Sequence, residues 1–258
     1  SNEYSVTVLC DTRSKNGVEE QAHDATLDAS IYRISRNKIL LWTYCKRIYM
    51  AFRYARTHQT IIASGKFSLW LVALLSFFFN RKYIAIIHGK EVQLSNSILK
   101  YCTDRSLQRF DTVIAVSRYT KSLVDHLGLK NSIVIPNGFA IEKRSDEISN
   151  KSFAPSLITV GNVTERKGQH NVINALPLLL KVCPNIKYHI VGIPTEKKKL
   201  KALASQLGVA KAVIFHGRVT EKEKKKLLEK ADIFIMLSET TPTGDMEGFG
   251  IAILEANA

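Results

Sequence analysis

Between residues 156 and 237 the sequence alternates short apolar, β-branched runs with patterns of helical spacing. The strand-like runs lie at 157–160, 187–191, 212–215 and 233–237, and the helical patterns lie between them at 169–182, 196–207 and 221–230. The runs are apolar throughout, which is typical of parallel strands that helices cover on both faces. The series therefore predicts a doubly wound α/β domain.

The first half of the chain has the same rhythm in a less regular form. Strands are predicted at 5–9, 31–34, 60–63, 83–87, 112–116 and 132–135, with helices starting near Lys38, Phe67, Asn96 and Tyr119. Pro136-Asn137-Gly138 and the polar stretch 142–151 then predict a boundary near residue 140, between domains 1–140 and 141–258. We expect two Rossmann-like domains facing a cleft at the carboxyl ends of their strands, where such sheets bind ligands.

Charge and cysteine usage limit the partners and the compartment. The 37 Lys and Arg against 23 Asp and Glu give a net charge of +14, which favours nucleic acid, an anionic membrane surface or phosphorylated substrates. The four scattered cysteines include no C-x-x-C pair, so a reduced, cytosolic compartment is expected. No secretory signal pattern opens the chain, and the apolar run 67–79 is shorter than the roughly 20 residues that cross a bilayer, which predicts a buried helix.

Residues 247–255, Glu-Gly-Phe-Gly-Ile-Ala-Ile-Leu-Glu, place two carboxylates eight positions apart around two glycines. If a helix begins at Phe249, the carboxylates lie roughly 12 Å apart along its axis, beyond the roughly 5 to 9.5 Å of a hydrolytic pair. They would suit opposite ends of an extended ligand, with phosphate at the helix start between them. On spacing alone, two solvated glutamates near a helix start are the favoured interpretation.

Four other segments of the chain favour a ligand-binding role for the two glutamates over solvated surface positions. They are the Gly-Asn-Val-Thr-Glu-Arg-Lys-Gly loop at 161–168, His-Gly-Lys-Glu at 88–91, Val-Ser-Arg-Tyr-Thr at 116–120 and Ile-Pro-Asn-Gly at 135–138. Together with 247–255, in this order, they resemble the motifs of the retaining glycosyltransferases of the GT-B fold, family 4. Residues 243–247 resemble most the members that transfer mannose or related sugars to phosphatidylinositol and other lipid-linked acceptors.

The resemblance implies a role for each matching residue. Glu247 would bind hydroxyls of the transferred sugar, Glu255 would bind the ribose hydroxyls, and His88 would meet the donor sugar from the facing domain. Lys167 would neutralise the diphosphate leaving group. The other donor-side residues implied are Arg166, Gly161, Asn162, Gly248, Phe249 and Gly250. Ser117 would touch the acceptor or a phosphate, although a Ser-x-x-Thr segment is equally a helix N-cap.

No metal is expected, because the chain has no Asp-x-Asp pair, and no cofactor is expected besides a nucleotide-sugar donor of the UDP or GDP type. The missing G-x-G-x-x-G fingerprint argues against an NAD enzyme. Lysine runs at 197–201 and 222–226 have the spacing of solvated helix faces. The aromatic and cationic helix 42–56 fits either contact with an anionic membrane surface or an aromatic face in the core with its cations in water.

The chain departs from the family pattern at three places. Asn162 stands where the family usually has Arg, residues 5–9 match the family's second strand better than its first, and the family continues past its second Glu. We therefore expect the first βα unit and the C-terminal end to be lacking. The leading hypothesis is a metal-independent, retaining hexosyltransferase of polysaccharide or glycolipid synthesis, which binds the donor in the second domain and moves the sugar to a lipid- or saccharide-linked acceptor in the first. It would be cytoplasmic or lie at the inner face of the membrane. The alternative is a catalytically impaired nucleotide-sugar-binding or partner-docking protein. Nucleic-acid binding rests on charge alone and is not expected.

Overall fold

A computed structural model describes residues 4–12, 18–35, 40–138, 155–242 and 247–258. The chain forms two compact units. The first unit comprises Ser1–Ile86, Tyr101–Ile114 and Leu127–Ile133, and the second comprises Ile87–Lys100, Ala115–His126 and Val134–Ala258. The loops that follow two strands of the first half of the chain therefore belong to the second unit.

The first half contains six strands and five α-helices within the described residues. They are β1 (Thr7–Asp11), α1 (Val18–Asp24), β2 (Ser30–Ile34), α2 (Leu40–Ala55), β3 (Thr60–Ser64), α3 (Lys66–Leu75), β4 (Lys82–Ile87), α4 (Ser97–Leu107), β5 (Thr112–Ala115), α5 (Arg118–Ser122) and β6 (Ser132–Val134). β1 and β2 form a parallel pair, and the other strands form a sheet in the order β3-β4-β5-β6.

The second half is the alternating domain that the sequence predicts. Its elements are β7 (Ser156–Val160), α6 (Gln169–Val182), β8 (Lys187–Val191), α7 (Lys197–Gln206), β9 (Val213–Gly217), α8 (Glu221–Lys230), β10 (Ile233–Phe234) and α9 (Ile251–Asn257). The four strands are parallel in the order β10-β7-β8-β9. This topology and the parallel β1-β2 and β3-β4 pairs confirm the predicted α/β fold class.

Apolar side chains on both faces of the sheet formed by β7–β10 are buried. Leu157, Tyr188 and Ile190 pack with Val172 of α6 and Leu200 of α7. In a separate cluster, Ile158, Val160 and Val191 pack with Ala252 of α9, and Leu227 of α8 lies against them. Neighbours in the same strand therefore enter different clusters, which explains why the runs are apolar without alternation.

Most predicted elements are confirmed, and four differ. The strand predicted at 233–237 ends at Phe234. α1 was not predicted. The helix predicted at 67–79 ends at Leu75, and although Leu69 is buried, Phe77 and Phe78 beyond that end are 63% and 62% exposed. The helix predicted from Phe249 begins at Ile251, because Gly250 adopts a left-handed conformation with φ 75° and serves as the N-cap.

Some predictions fall outside the described residues. These are the helix start near Lys38, the polar crossover at 142–151 and positions 243–246 of the mannosyltransferase-like segment. In the part of the chain that the structure describes, none of the helices has the length and apolar character that a bilayer crossing requires.

Candidate functional site

The loop after β7 packs closely against the loop after β10. Residues Glu165–Lys167 form a 3₁₀ turn, and Gly168 then takes φ 68° and begins α6. A Cβ placed on Gly168 would overlap the carbonyl oxygen of Leu237. Only glycine fits this contact, which joins two loops at the carboxyl ends of neighbouring parallel strands, where ligands bind in such sheets.

Glu247 is paired with both cations of this turn. Arg166 Nη1 and Lys167 Nζ each lie 2.5 Å from Glu247 Oε2. The three side chains are only 15%, 12% and 22% exposed for Arg166, Lys167 and Glu247. Arg166 and Lys167 therefore point to the same place, although they are neighbours in a loop.

The ion pairs decide the protonation state of Glu247. Burial raises the pKa of its carboxyl, but the hydrogen bond from Lys167 and the charges of Lys167 and Arg166 together outweigh burial and lower the pKa below its ordinary value. Glu247 is therefore an ionised hydrogen-bond acceptor near neutral pH.

The start of the same loop lies against Lys167. A Cβ on Gly161 would lie 3.1 Å from Lys167 Cε, and Lys167 Nζ is 3.9 Å from Met236 Sδ. Asn162 is exposed, and its carbonyl oxygen accepts a 3.1 Å hydrogen bond from the buried Gln169 side chain. Gly161 is therefore in contact with Lys167, and Asn162 is held to the first residue of α6.

The segment that contains Glu247 also meets the loop after β4. A Cβ on Gly248 would overlap the carbonyl oxygen of His88 and would lie 3.8 Å from Thr120 Oγ1. The His88 side chain is exposed, and its backbone N–H donates to Glu91 Oε2 at 3.1 Å. The structure therefore brings the His88 loop beside Glu247 within the second unit.

Ser117 is the N-cap of α5. Its Oγ accepts a 3.0 Å hydrogen bond from the backbone N–H of Thr120 and lies 3.0 Å from Thr120 Oγ1. Thr120 is fully buried. Of the two interpretations of this Ser-x-x-Thr segment, the N-cap is therefore realised in the structure.

Glu255 forms an ion pair with a different cation from those that bind Glu247. Its Oε1 lies 3.1 Å from Lys224 Nζ of α8, and the same ammonium lies 2.6 Å from Glu221. Burial lowers the pKa of Lys224, but the hydrogen bonds with Glu221 and Glu255 outweigh it and raise the pKa. The Lys224 side chain is 18% exposed, so the prediction of a solvated face at 222–226 is wrong at this position.

Sequence reasoning missed Glu239 and the histidine pair of β8 and β9. Glu239 contacts Arg166, His170 and Asn171. Its position just after β10, at a carboxyl strand end, was the available signal.

The two histidines lie on neighbouring strands. His189 Nδ1 is 2.9 Å from His216 Nε2, and the rings stack at 17°. Burial lowers the pKa of both imidazoles, and for His189 the charges of His216 and Lys187 lower it further. Both are therefore neutral at pH 7, beside the glycine that ends β9. Among the described residues, no group of three or more His, Cys, Asp or Glu side chains is placed to hold a metal ion.

The parallel sheets and the likeness to solved glycosyltransferases place the chain in the GT-B class of glycosyltransferase folds. Anabaena HepE, solved in complex with UDP and glucose, superposes with a TM-score of 0.73 and 19% identity, over 97% of this chain and 78% of that one.

Family models match along the whole chain: Glycosyltransferase Family 4 at residues 1–143, and Glycosyl transferases group 1 at residues 141–258. The chain belongs to Glycosyltransferase Family 4, which confirms the resemblance.

Several relatives by sequence are mannosyltransferases. The GDP-mannose-dependent alpha-(1-6)-phosphatidylinositol monomannoside mannosyltransferase of Mycolicibacterium smegmatis is 32% identical over 192 residues, 69% of this chain and 50% of that protein. The GDP-mannose-dependent monoacylated alpha-(1-6)-phosphatidylinositol monomannoside mannosyltransferase of Corynebacterium glutamicum is 26% identical over an alignment of 273 positions, which covers 98% of this chain and 70% of that protein. The chain spans about half the length of several of the curated relatives that it matches.

Proposed function

We propose that this protein is a metal-independent, retaining glycosyltransferase that takes a sugar from a UDP- or GDP-sugar. The observation that carries the proposal is the cluster of Arg166, Lys167 and Glu247 at the carboxyl ends of two parallel strands. Two cations share one carboxylate there, so the cluster keeps an excess positive charge that a diphosphate would complement. The names of the M. smegmatis relative and of the HepE complex provide the two donor types, GDP-mannose and UDP with glucose.

In the proposed reaction, the donor diphosphate takes over Arg166 and Lys167 from Glu247. As the sugar–phosphate bond breaks, an acceptor hydroxyl oxygen bonds to the anomeric carbon and its proton leaves with the released diphosphate, whose growing charge these cations stabilise. Glu247, released and ionised, accepts hydrogen bonds from hydroxyls of the transferred sugar. His88 contributes to the sugar subsite from the neighbouring loop, and Glu255 binds the ribose. Retention of the anomeric configuration follows the family resemblance.

A ligand screen tests the donor site. UDP, GDP and their sugars are each added to the protein in a thermal-shift assay, in which a ligand at about 100 times its Kd stabilises by about 2.7 kcal/mol. We expect one base series to raise the melting temperature, in the presence of EDTA as in its absence. A protein that responds to neither series would refute the proposal. Binding of a nucleotide sugar without any transfer would instead identify the alternative, a nucleotide-sugar-binding protein that has lost catalysis.

We propose further that the acceptor is lipid-linked and presented at the inner face of an anionic membrane. Tyr44 and Phe52 of α2 pack against Phe67 and Phe78, with ring centroids 4.9 and 5.3 Å apart. The same helix leaves Leu41, Trp42 and Tyr49 exposed by 70%, 66% and 64%. Exposed Lys46 and Arg53 flank these side chains, and α2 contains no acidic residue. An apolar stripe bordered by cations is typical of a helix that lies on anionic lipid.

Vesicle binding tests the membrane surface. Reversing two charges with Lys46→Glu and Arg53→Glu should lower affinity for anionic vesicles by about tenfold or more, since each basic residue near such a surface contributes about 1 kcal/mol. The matched control, Lys198→Glu with Lys199→Glu, makes the same net charge change at exposed positions of α7. If the two double variants lost equal affinity for the vesicles, the net charge of the protein would explain binding, which would contradict a role for α2.

A further inference from the structure

Glu239, three residues after Met236, binds both sides of the turn that carries Arg166 and Lys167. Its backbone N–H donates to the carbonyl oxygen of Arg166 at 3.0 Å. Its Oε1 lies 3.0 Å from His170 Nε2, and its Oε2 accepts a 3.2 Å hydrogen bond from Asn171 Nδ2. One residue thus joins the turn before Gly168 to the first turn of α6 after it.

The surroundings leave this turn little freedom. Gly168 lies so close to the carbonyl oxygen of Leu237 that a Cβ does not fit, and Lys167 Nζ reaches Met236. The segment 236–239 therefore supports the turn along its length, and Glu239 supplies the polar part of that support. Its side chain points to α6, and the cation-binding carboxylate of the site is Glu247 instead.

We propose that Glu239 is a positioning residue, which holds the Glu165–Lys167 turn in the conformation in which Arg166 and Lys167 receive the diphosphate of a nucleotide sugar. This inference rests on the proposed function, since it assigns the diphosphate to these two cations. A carboxylate suits the position because its two oxygens accept from His170 and Asn171 at the same time. Glutamine has one acceptor oxygen and would place an NH₂ group against one of the two donors. Side chains fixed in this way keep a binding site at its productive geometry.

A double-mutant cycle in the 258-residue chain tests the proposal. UDP and GDP are titrated by NMR into the wild type, Glu239→Ala, Lys167→Ala and the double variant. Glu239→Ala should weaken the better-bound nucleotide by about tenfold, and Glu239→Gln should weaken it less. If Glu239 acts through Lys167, its removal should cost at least about threefold less in the Lys167→Ala background. Additive losses would overturn the proposal.

Two further measurements separate this outcome from a general loss of structure. Glu229→Ala, at an exposed position of α8, should bind like the wild type. Circular dichroism reports whether Glu239→Ala folds; if it does not, the cycle is run with Glu239→Gln, for which a smaller coupling of the same sign is expected. Wild-type affinity in both Glu239 variants would overturn this inference alone. A wild type that binds neither UDP nor GDP would overturn it together with the proposed function.

Discussion

Glu247 and Glu255 are the same residue type in one nine-residue segment, and the fold places them in two different regions. Glu247 precedes α9 and pairs with two loop cations, Arg166 and Lys167. Glu255 lies inside α9 and shares one lysine, Lys224, with Glu221 of the neighbouring helix. The comparison teaches that spacing in sequence identifies the carboxylates, whereas the cations that define their chemistry come from other elements.

The largest difference between the two carboxylates should appear in turnover. Glu247→Gln should lower kcat by about 10²-fold or more, because it removes an acceptor for the reacting sugar. The same change should tighten binding of the free nucleoside diphosphate, since the ionised carboxylate no longer competes for Arg166 and Lys167. Kinetics with the sugar donor and titration with the diphosphate measure the two effects. Loss of both turnover and diphosphate affinity would contradict the exchange of Glu247 for phosphate.

Lys167→Ala should reduce diphosphate affinity by about tenfold or more, because charge-assisted hydrogen bonds to charged groups contribute about 1.5–3 kcal/mol. Titration calorimetry measures the change. Lys198→Ala, on the exposed face of α7, removes the same charge away from the turn and should bind normally. Equal losses in the two variants would mean that only the net charge matters.

Glu255→Gln should have a smaller effect of another kind. We expect the KM for the nucleotide sugar to rise by several-fold, on the order of 1 kcal/mol, with kcat nearly unchanged, because this carboxylate would bind ribose and not the reacting sugar. Steady-state kinetics separate the two constants. A large fall in kcat would remove the distinction between the two glutamates.

The smallest effect concerns stability. The pKa of Glu247 is lower in the folded protein than its ordinary 4.5, so its contribution is fully present above the unfolded pKa and is lost as pH falls through the folded pKa. The free energy of unfolding should therefore fall less between about pH 6 and about pH 3 in Glu247→Gln than in the wild type. Urea denaturation at both pH values measures this, with Glu229→Gln as the control. If the free energy of unfolding fell equally in all three proteins, the ion pairs of Glu247 would not contribute to stability as expected.

The alternating fold was predictable because its signals are local. α6 and α8 begin and end where the helical spacing predicts, and Thr220 with Glu223 forms a capping box at the start of α8. Burial on both faces of one sheet leaves continuous apolar runs, which a sequence displays directly.

The partners within the site were less predictable because they depend on packing between loops. The left-handed Gly250 delays the start of α9, so Glu247 lies in an irregular segment that turns toward Arg166. Lys224 looks like its solvated neighbours in sequence until Glu221 and Glu255 surround it. Glu239 belongs to none of the motifs, and although it follows a predicted strand, its contacts with the turn depend on the pairing of β10 with β7.

The contact between Gly248 and the carbonyl oxygen of His88 has a consequence for how the protein folds. It joins positions about 160 residues apart in the chain, and contacts of such long separation form slowly because the intervening loop must first be closed. Most neighbouring strands in the sheets are close in sequence, whereas the proposed sugar subsite requires the Gly248 segment and the His88 loop to meet. We therefore expect these residues to acquire their arrangement later in folding than the pairs of adjacent strands do.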